Sequence, residues 1–362
     1  MRLLLERKEV NPDSSDKHGR TPLLEAAGGG HEGIVRLLLE RTDVNPDSSP
    51  GGRTPLLGAA EGGHEGIVKL LLERKEVNPD SSDKDGRTAL CKAAAGGHEG
   101  IVKLLLECKE VNPSSSDWKG QTPLFVAAKK GHGDIVKVLL ERKEVNPDSS
   151  DKFGRTPLFK AAEQGHEGIV RLLLELKEVN SDSSTGYGRT PLWAAAKSGL
   201  EGIVKLLLER KEVNPDSSDK YGKTPLFKAA IGGYNAARGG YKGIVKLLLE
   251  RKEVNPDSSD EDGRTPLFEA ACEGHEGIVK LLLERKEVNP DSSNWGRQTP
   301  LSVAAQRGHE GIVKLLLERK EVSPDSFDNS RNTPLSLATK AGHMGVVKLL
   351  QERHRANSIP PS

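Results

Sequence analysis

Hydrophobic and polar positions repeat along this chain with a period close to 34 residues. A Thr-(Pro/Ala)-Leu element recurs ten times, and successive copies lie 34 residues apart except for one interval of 33 and one of 41. The ten copies begin at Thr21, Thr54, Thr88, Thr122, Thr156, Thr190, Thr224, Thr265, Thr299 and Thr333. Such a period indicates small structural units that stack on one another, each too small to bury its apolar face alone.

Each unit carries the pattern of two short helices. Thr21 is a good N-cap, Pro22 suits the first helical position, and the Leu and Ala residues that follow share one helical face. A glycine recurs near Gly30, where a helix that ends in a left-handed residue favours it. A second, broadly apolar helix is predicted from about Glu32 to Arg41, because its leucines suit packing between two layers.

The connector between units reads NPDSSD-x-x-G and is rich in turn formers. It predicts an extended, hairpin-like loop with a tight tip. Calcium binding is the alternative interpretation of its acidic residues. The calcium-loop spacing D-x-N/D-x-N/D-G-x5-E is absent, so solvated turns are favoured.

The repeated elements Thr-Pro-Leu-x-x-Ala-Ala, Gly-His-x-x-Ile-Val-x-Leu-Leu-Leu and Val-Asn resemble the ankyrin repeat, over roughly residues 3–352. The resemblance implies an all-α solenoid of stacked helix–turn–helix pairs. This sequence departs from the family pattern by lacking its Gly after the second helix and its His after Thr-Pro-Leu. The residues in place of that His are Leu24, Leu57, Cys91, Phe125, Phe159, Trp193, Phe227, Phe268, Ser302 and Ser336.

Three segments follow from this register. Residues 1–20 are expected to form a truncated half repeat, which suggests a fragment of a longer protein. Residues 21–352 form the ten-repeat array, with seven additional residues near 231–241, where Gly-Gly-Tyr occurs twice. A protruding loop is favoured there over a longer helix, because paired glycines disfavour helix. Residues 353–362 are predicted to be a disordered tail.

Composition excludes several classes of protein. The formal net charge is +1, and the lysines of the first helices are few and offset by acids, so binding to nucleic acid or a membrane surface is not expected. Cys91, Cys108 and Cys272 have no paired spacing, which fits a reducing compartment. No stretch is long and apolar enough for a signal peptide or a membrane helix. We expect a soluble monomer, cytoplasmic or nuclear.

Eight histidines recur once per repeat at the turn between the two helices. Because the repeats are about 10 Å apart, these histidines cannot share one zinc ion, and a structural role that ties each turn to its neighbour is expected. No Ser or Cys is paired with a non-repeating His and acid, and no glycine loop suits a phosphate. The sequence therefore predicts neither catalysis nor a metal or cofactor.

The repeats differ most in their aromatic residues. The first 117 residues contain none, although the chain has 3 Trp, 4 Tyr and 6 Phe residues. They cluster near the loop tips and directly after Thr-Pro-Leu, beside a set of lysines on the first helices. Two interpretations stay open: the post-Leu aromatics fill the space left by the missing His, or both groups line the concave groove with which the family grips partners. The predicted partner-binding residues are Trp118, Phe125, Lys129, Phe153, Phe159, Lys160, Tyr187, Trp193, Lys197, Tyr221, Phe227, Lys228, Tyr234 and Tyr241.

The predicted function is a scaffold that binds a protein or peptide with acidic and apolar residues in that groove. The alternative is the recognition arm of a larger multidomain enzyme, or of a nucleotide-hydrolase receptor, whose catalytic domain lies outside this chain.

Overall fold

A computed structural model describes residues 11–48, 52–232 and 241–358. The chain divides between Asn180 and Ser181 into two compact units. Tyr234, most of the insertion and the first ten residues of the predicted half repeat lie outside the described residues.

The described part of the chain forms helices in sequential pairs. The first unit contains α1 (Pro22–Gly28), α2 (Glu32–Leu39), α3 (Pro55–Gly62), α4 (Glu65–Leu72), α5 (Ala89–Gly96), α6 (Glu99–Glu107), α7 (Pro123–Lys130), α8 (Gly133–Leu140), α9 (Pro157–Gln164) and α10 (Glu167–Glu175). The second unit contains α11 (Pro191–Ser198), α12 (Glu201–Leu208), α13 (Pro225–Ile231), α14 (Lys242–Leu249), α15 (Pro266–Glu273), α16 (Glu276–Leu283), α17 (Pro300–Arg307), α18 (Glu310–Leu317), α19 (Pro334–Ala341) and α20 (Met344–Ser358).

The threonine of each repeat caps its odd-numbered helix. In α7, the hydroxyl of Thr122 accepts a hydrogen bond from the backbone N–H of Phe125 at 3.2 Å, and Pro123 occupies the first turn. The helix ends at Gly131, which has φ +87°. A Cβ at Gly131 would lie 2.7 Å from Cε1 of His166, so this position requires glycine for both its conformation and its close neighbour.

Stacking within each unit buries the leucines. Every odd-numbered helix packs against its own even-numbered partner and against the odd-numbered helix of the next repeat in the unit. The layer between them is aliphatic and closely packed, as Leu105 and Leu173 illustrate with fully buried side chains. In the second unit, α13 packs on α15 and α14 on α16, so the stack continues in register past the insertion. The predicted all-α stack of helix pairs is confirmed.

Most described loop tips are tight turns organised by one aspartate, whose place Thr185 and Asn294 take in two of them. Asp151 accepts hydrogen bonds at Oδ1 from the backbone N–H groups of Phe153 and Arg155, at 2.9 and 3.0 Å. Backbone bonds also join successive tips, as from the N–H of Lys152 to the carbonyl of Lys119. The described residues contain no strand, only an isolated bridge between Ser82 and Thr88, so the hairpin-like loops form without a sheet.

Two predicted boundaries were wrong. The second helix of the first repeat ends at Leu39 rather than Arg41, since residues 41–43 form a turn. At the other end α20 continues through Ser358, so the predicted disorder does not begin at residue 353. Residues 351–358 contain neither Gly nor Pro, the two residues that disfavour a helix most.

Candidate functional site

Three predicted tip aromatics are exposed to solvent. Trp118 is 57% exposed, Phe153 52% and Tyr187 43%, and Tyr221 is partly exposed. Each of the three exposed rings has a cation above it: Nζ of Lys119 lies 5.3 Å from the Trp118 ring centre, and the Arg155 guanidinium 4.8 Å from that of Phe153. Nζ of Lys220 lies 4.4 Å from the Tyr187 ring centre. Such stacking orients a ring that has little packing of its own.

The post-Leu aromatics are in the core. Phe125 and Phe227 are fully buried, and Phe159 and Trp193 are only 3% exposed. Their burial agrees with the first of the two interpretations, in which these rings fill the space left by the missing His. The prediction that these four residues contact a partner is therefore wrong, because a buried ring has no surface to offer.

Trp193 nevertheless supports a cationic surface in the second unit. Its indole Nε1–H donates a hydrogen bond to the carbonyl oxygen of Lys223 at 3.0 Å, which fixes the ring. Arg189, Lys197 and Lys228 lie 4.7, 5.5 and 5.2 Å from its ring centre. Three cations therefore lie close to the Trp193 ring, beside the α11 and α13 helices.

The predicted lysines differ in their exposure. Lys160 is buried and pairs with Glu163 on the same helix, so its charge is already satisfied. Lys197 is exposed, whereas Lys129 and Lys228 are half-buried. Burial lowers the pKa of Lys129, and the neighbouring Lys160 and Lys130 lower that pKa further. Burial and the charge of Lys223 likewise lower the pKa of Lys228.

Tyr241 does not protrude. It precedes α14 in the place where other repeats have His, and a Cβ at Gly199 would lie 2.3 Å from Cε1 of its ring. The ring therefore packs on the preceding repeat and is half-buried. The prediction that Tyr241 stands out as a partner contact is wrong, and Tyr234 lies outside the described residues.

One group of potential metal ligands lies on α15. Donor atoms of Glu269, Cys272 and Glu273 lie within 4.8 Å of one another. Burial raises the pKa values of both Glu269 and Cys272, which favours their protonated forms, and metal binding requires the deprotonated ones. Glu269 also pairs with Arg264 at 3.4 Å. The group is therefore explained as part of the fold.

Sequence reasoning missed a hollow in the first unit. A cavity of about 390 Å³ opens between the α5 and α7 helices and the tip that carries Trp118. Cys91, Ala95 and Val126 line it. The small residues of α5 were the signal for it in the sequence. Trp295 and Phe327, which are 76% and 50% exposed near two later tips, are not among the predicted partner-binding residues.

Within the described ranges, no helix combines the length and the apolar character that crossing a membrane requires.

The model of the family described as ankyrin repeats (3 copies) matches the chain at residues 1–83, 59–151, 143–219, 176–238, 211–294 and 286–359. Among curated proteins, none matches this sequence. Because these matches cover nearly the whole chain and the helices stack in the pairs described above, the protein belongs to the ankyrin-repeat family. Ankyrin repeats are in general protein–protein interaction modules, and a fold built of them alone is typically non-catalytic.

Proposed function

We propose that this chain binds a protein partner through its tip surface, defined within each of the two units as the loop tips together with the adjoining exposed faces of the odd-numbered helices. The observation that carries the proposal is the exposure of Trp118, Phe153 and Tyr187, each beneath a cation. Large exposed rings contribute little to folding. At interfaces, aromatic side chains and arginine supply most of the binding free energy.

The partner is expected to present apolar side chains beside carboxylates. Lys119, Lys129 and Lys130 in the first unit, and Lys197, Lys220 and Lys228 in the second, have no carboxylate oxygen within 4.0 Å among the described residues. Positive surfaces of this kind speed association with acidic partners and set the orientation of docking. A small net charge argues against the generic attraction that nucleic acid requires.

The test begins with affinity capture from a lysate of the source cells, with wild type and a Trp118→Ala/Phe153→Ala/Tyr187→Ala variant as baits. A captured protein that depends on the three rings is then purified and titrated against the single variants by calorimetry. Each substitution is expected to weaken binding by about tenfold or more, the usual loss when an interface aromatic is truncated.

Met344→Ala is the matched control, because Met344 is 70% exposed but lies at the start of an even-numbered helix. It should bind like wild type. Circular dichroism should be the same for all variants, since the truncated side chains are exposed. Equal affinity of the wild type and all three tip variants would refute the proposal.

A further inference from the structure

The hollow in the first unit arises from a local change in the repeat sequence. Helix α5 places Cys91, Ala95 and Gly96 where α7 places Phe125, Lys129 and Lys130. The side chains of α5 are thus smaller than those of α7 at all three positions, and they leave volume open beside α7. The resulting cavity of about 390 Å³ is within the usual range of about 300–1,000 Å³ for ligand sites.

The floor of this hollow is apolar. Cys91, Phe125 and Val126 form a buried cluster, against which Ala95 packs. Burial raises the pKa of the Cys91 thiol to about 12, so it stays a neutral, apolar lining group at physiological pH. Trp118 stands at the rim with more than half of its side chain exposed. An apolar group that entered would therefore be enclosed by thiol, methyl and indole surfaces.

The charges around the rim are unequal. On one side Glu61, Asp83 and Asp85 are matched by Arg53, Arg87 and Lys92 through ion pairs of 3.2 Å or less. On the other side stand Lys119, Lys129 and Lys130, and Asp117 is the acid that lines the pocket beside them. The carboxylate of Asp117 accepts the backbone N–H groups of Lys119 and Gln121, which closes its own turn. An excess of positive charge is left facing the opening.

We propose that this hollow is an anchor pocket for one apolar side chain of a bound acidic peptide segment, with a neighbouring carboxylate held by Lys119, Lys129 and Lys130. The apolar group would contact Cys91, Ala95 and Val126. This assignment rests on the proposed function and specifies the chemistry of the partner at one point of the tip surface.

The test uses three small probes. 3-Phenylpropionate carries both an apolar ring and a carboxylate, 3-phenylpropylamine carries the ring with a positive charge, and propionate carries the carboxylate without the ring. Binding is followed by NMR through the indole N–H of Trp118 and the methyl groups of Val126, in the full chain. For a fragment of this size a dissociation constant on the order of millimolar is expected. The acid should shift both sets of signals, and the amine and propionate should do so at least about tenfold more weakly.

Two variants test the two halves of the pocket. Ala95→Leu fills the floor and should abolish the shifts. Gln306→Leu is its control, because Gln306 occupies the equivalent position on α17 in the second unit. Lys129→Gln/Lys130→Gln should remove the preference for the acid over the amine. Lys137→Gln, an exposed lysine on the even-numbered helix α8, should preserve it. If Ala95→Leu fails to fold, the rim variant still decides the question, because Lys130 is exposed and Lys129 half-buried.

The assignment would be overturned if the acid caused no shifts, if acid and amine caused the same shifts, or if the shifts persisted in Ala95→Leu. If the probes fail while the tip variants still lose the captured partner, the pocket assignment alone is wrong. If the probes bind while no tip variant affects the partner, the pocket stands and the broader docking surface does not.

Discussion

The imidazole of His166 donates a hydrogen bond from Nε2 to the carbonyl oxygen of Lys129, 3.1 Å away at the end of the preceding odd-numbered helix. The donor must be Nε2–H, because a carbonyl can only accept. Carbonyl groups in the last turn of a helix lack partners within it, so this bond satisfies one of them. Six other histidines make the equivalent bond, namely His64, His98, His132, His275, His309 and His343. The recurring histidine therefore ties adjacent repeats together.

Replacing His166 by leucine should weaken the first unit by about 0.5–1.5 kcal/mol, the net value of one such hydrogen bond. Leucine is the informative replacement because the chain already has Leu200 at the equivalent position. Urea unfolding followed by circular dichroism measures the loss. His18→Leu, at an exposed loop tip, should leave the midpoint unchanged. A variant as stable as wild type would show that the bond contributes nothing.

Truncation of a core leucine should cost more than loss of this bond. Leu105→Ala is expected to lower the free energy of unfolding by about 2–5 kcal/mol, because Leu105 is fully buried and alanine would leave a cavity. Leu104→Ala, at the half-buried neighbouring position, should cost clearly less. Since repeats contact only their neighbours, hydrogen exchange should accelerate most in α4, α6 and α8. Uniform acceleration throughout the first unit would contradict nearest-neighbour stability.

The fold could be predicted because each local rule is repeated in at least eight of the ten repeats. Thr122, Gly131 and His166 each have equivalents along the chain, so one interpretation of the pattern accounts for many positions at once. Helix ends were harder to place. Helix α20 continues through polar residues to Ser358, whereas α2 ends at Leu39, before the polar residues Glu40 and Arg41.

The candidate site could be predicted only in part. Trp118 and Phe159 are both aromatic, yet the tip leaves one exposed and the stack buries the other. Sequence cannot separate them, because burial depends on the volume that the neighbouring repeat leaves free. The pocket beside Ala95 was missed for the same reason, because small side chains leave a cavity only where the neighbouring repeat does not fill the space.

Burial of the loop aspartates should make stability depend on pH. Asp148 accepts the backbone N–H of Asn180 at Oδ2, at 2.8 Å, while its Oδ1 is buried and meets no hydrogen-bond partner among the described residues. Burial raises the pKa of Asp148, so the folded state binds the proton more tightly than the unfolded chain does. Its contribution to stability is therefore fully present below the ordinary aspartate pKa and declines as pH rises through the folded value.

Asp148→Asn removes this titration, so its stability relative to wild type should increase as pH rises above the ordinary aspartate pKa of about 4. Urea unfolding at a series of pH values measures the difference. Asp16→Asn is the opposite control, because hydrogen bonds from the backbone and side chain of Arg20 lower the pKa of Asp16 to about 2. Wild type should lose stability relative to that variant as pH falls through this value. A pH-independent difference for Asp148→Asn would contradict the assignment.

Deleting Asn235–Tyr241 should leave the fold intact and the melting temperature no lower. The deletion joins the first Gly-Gly-Tyr to Lys242, so Tyr234 takes the sequence position of Tyr241 and the repeat returns to 34 residues. The α13 and α14 helices already stack in register with their neighbours in the second unit. Differential scanning calorimetry is the measurement, and unfolding of the array by this deletion would show that the insertion is a structural element.

The central claim, that a protein partner docks on the tip surface, is tested most directly by hydrogen-exchange mass spectrometry of the array with and without its captured partner. The partner should slow exchange at the tips, in residues 117–121, 151–155 and 185–189. Exchange in the even-numbered helices α6, α10 and α12 should not change. Slower exchange confined to the even-numbered helices, with all three tips unaffected, would contradict the claim.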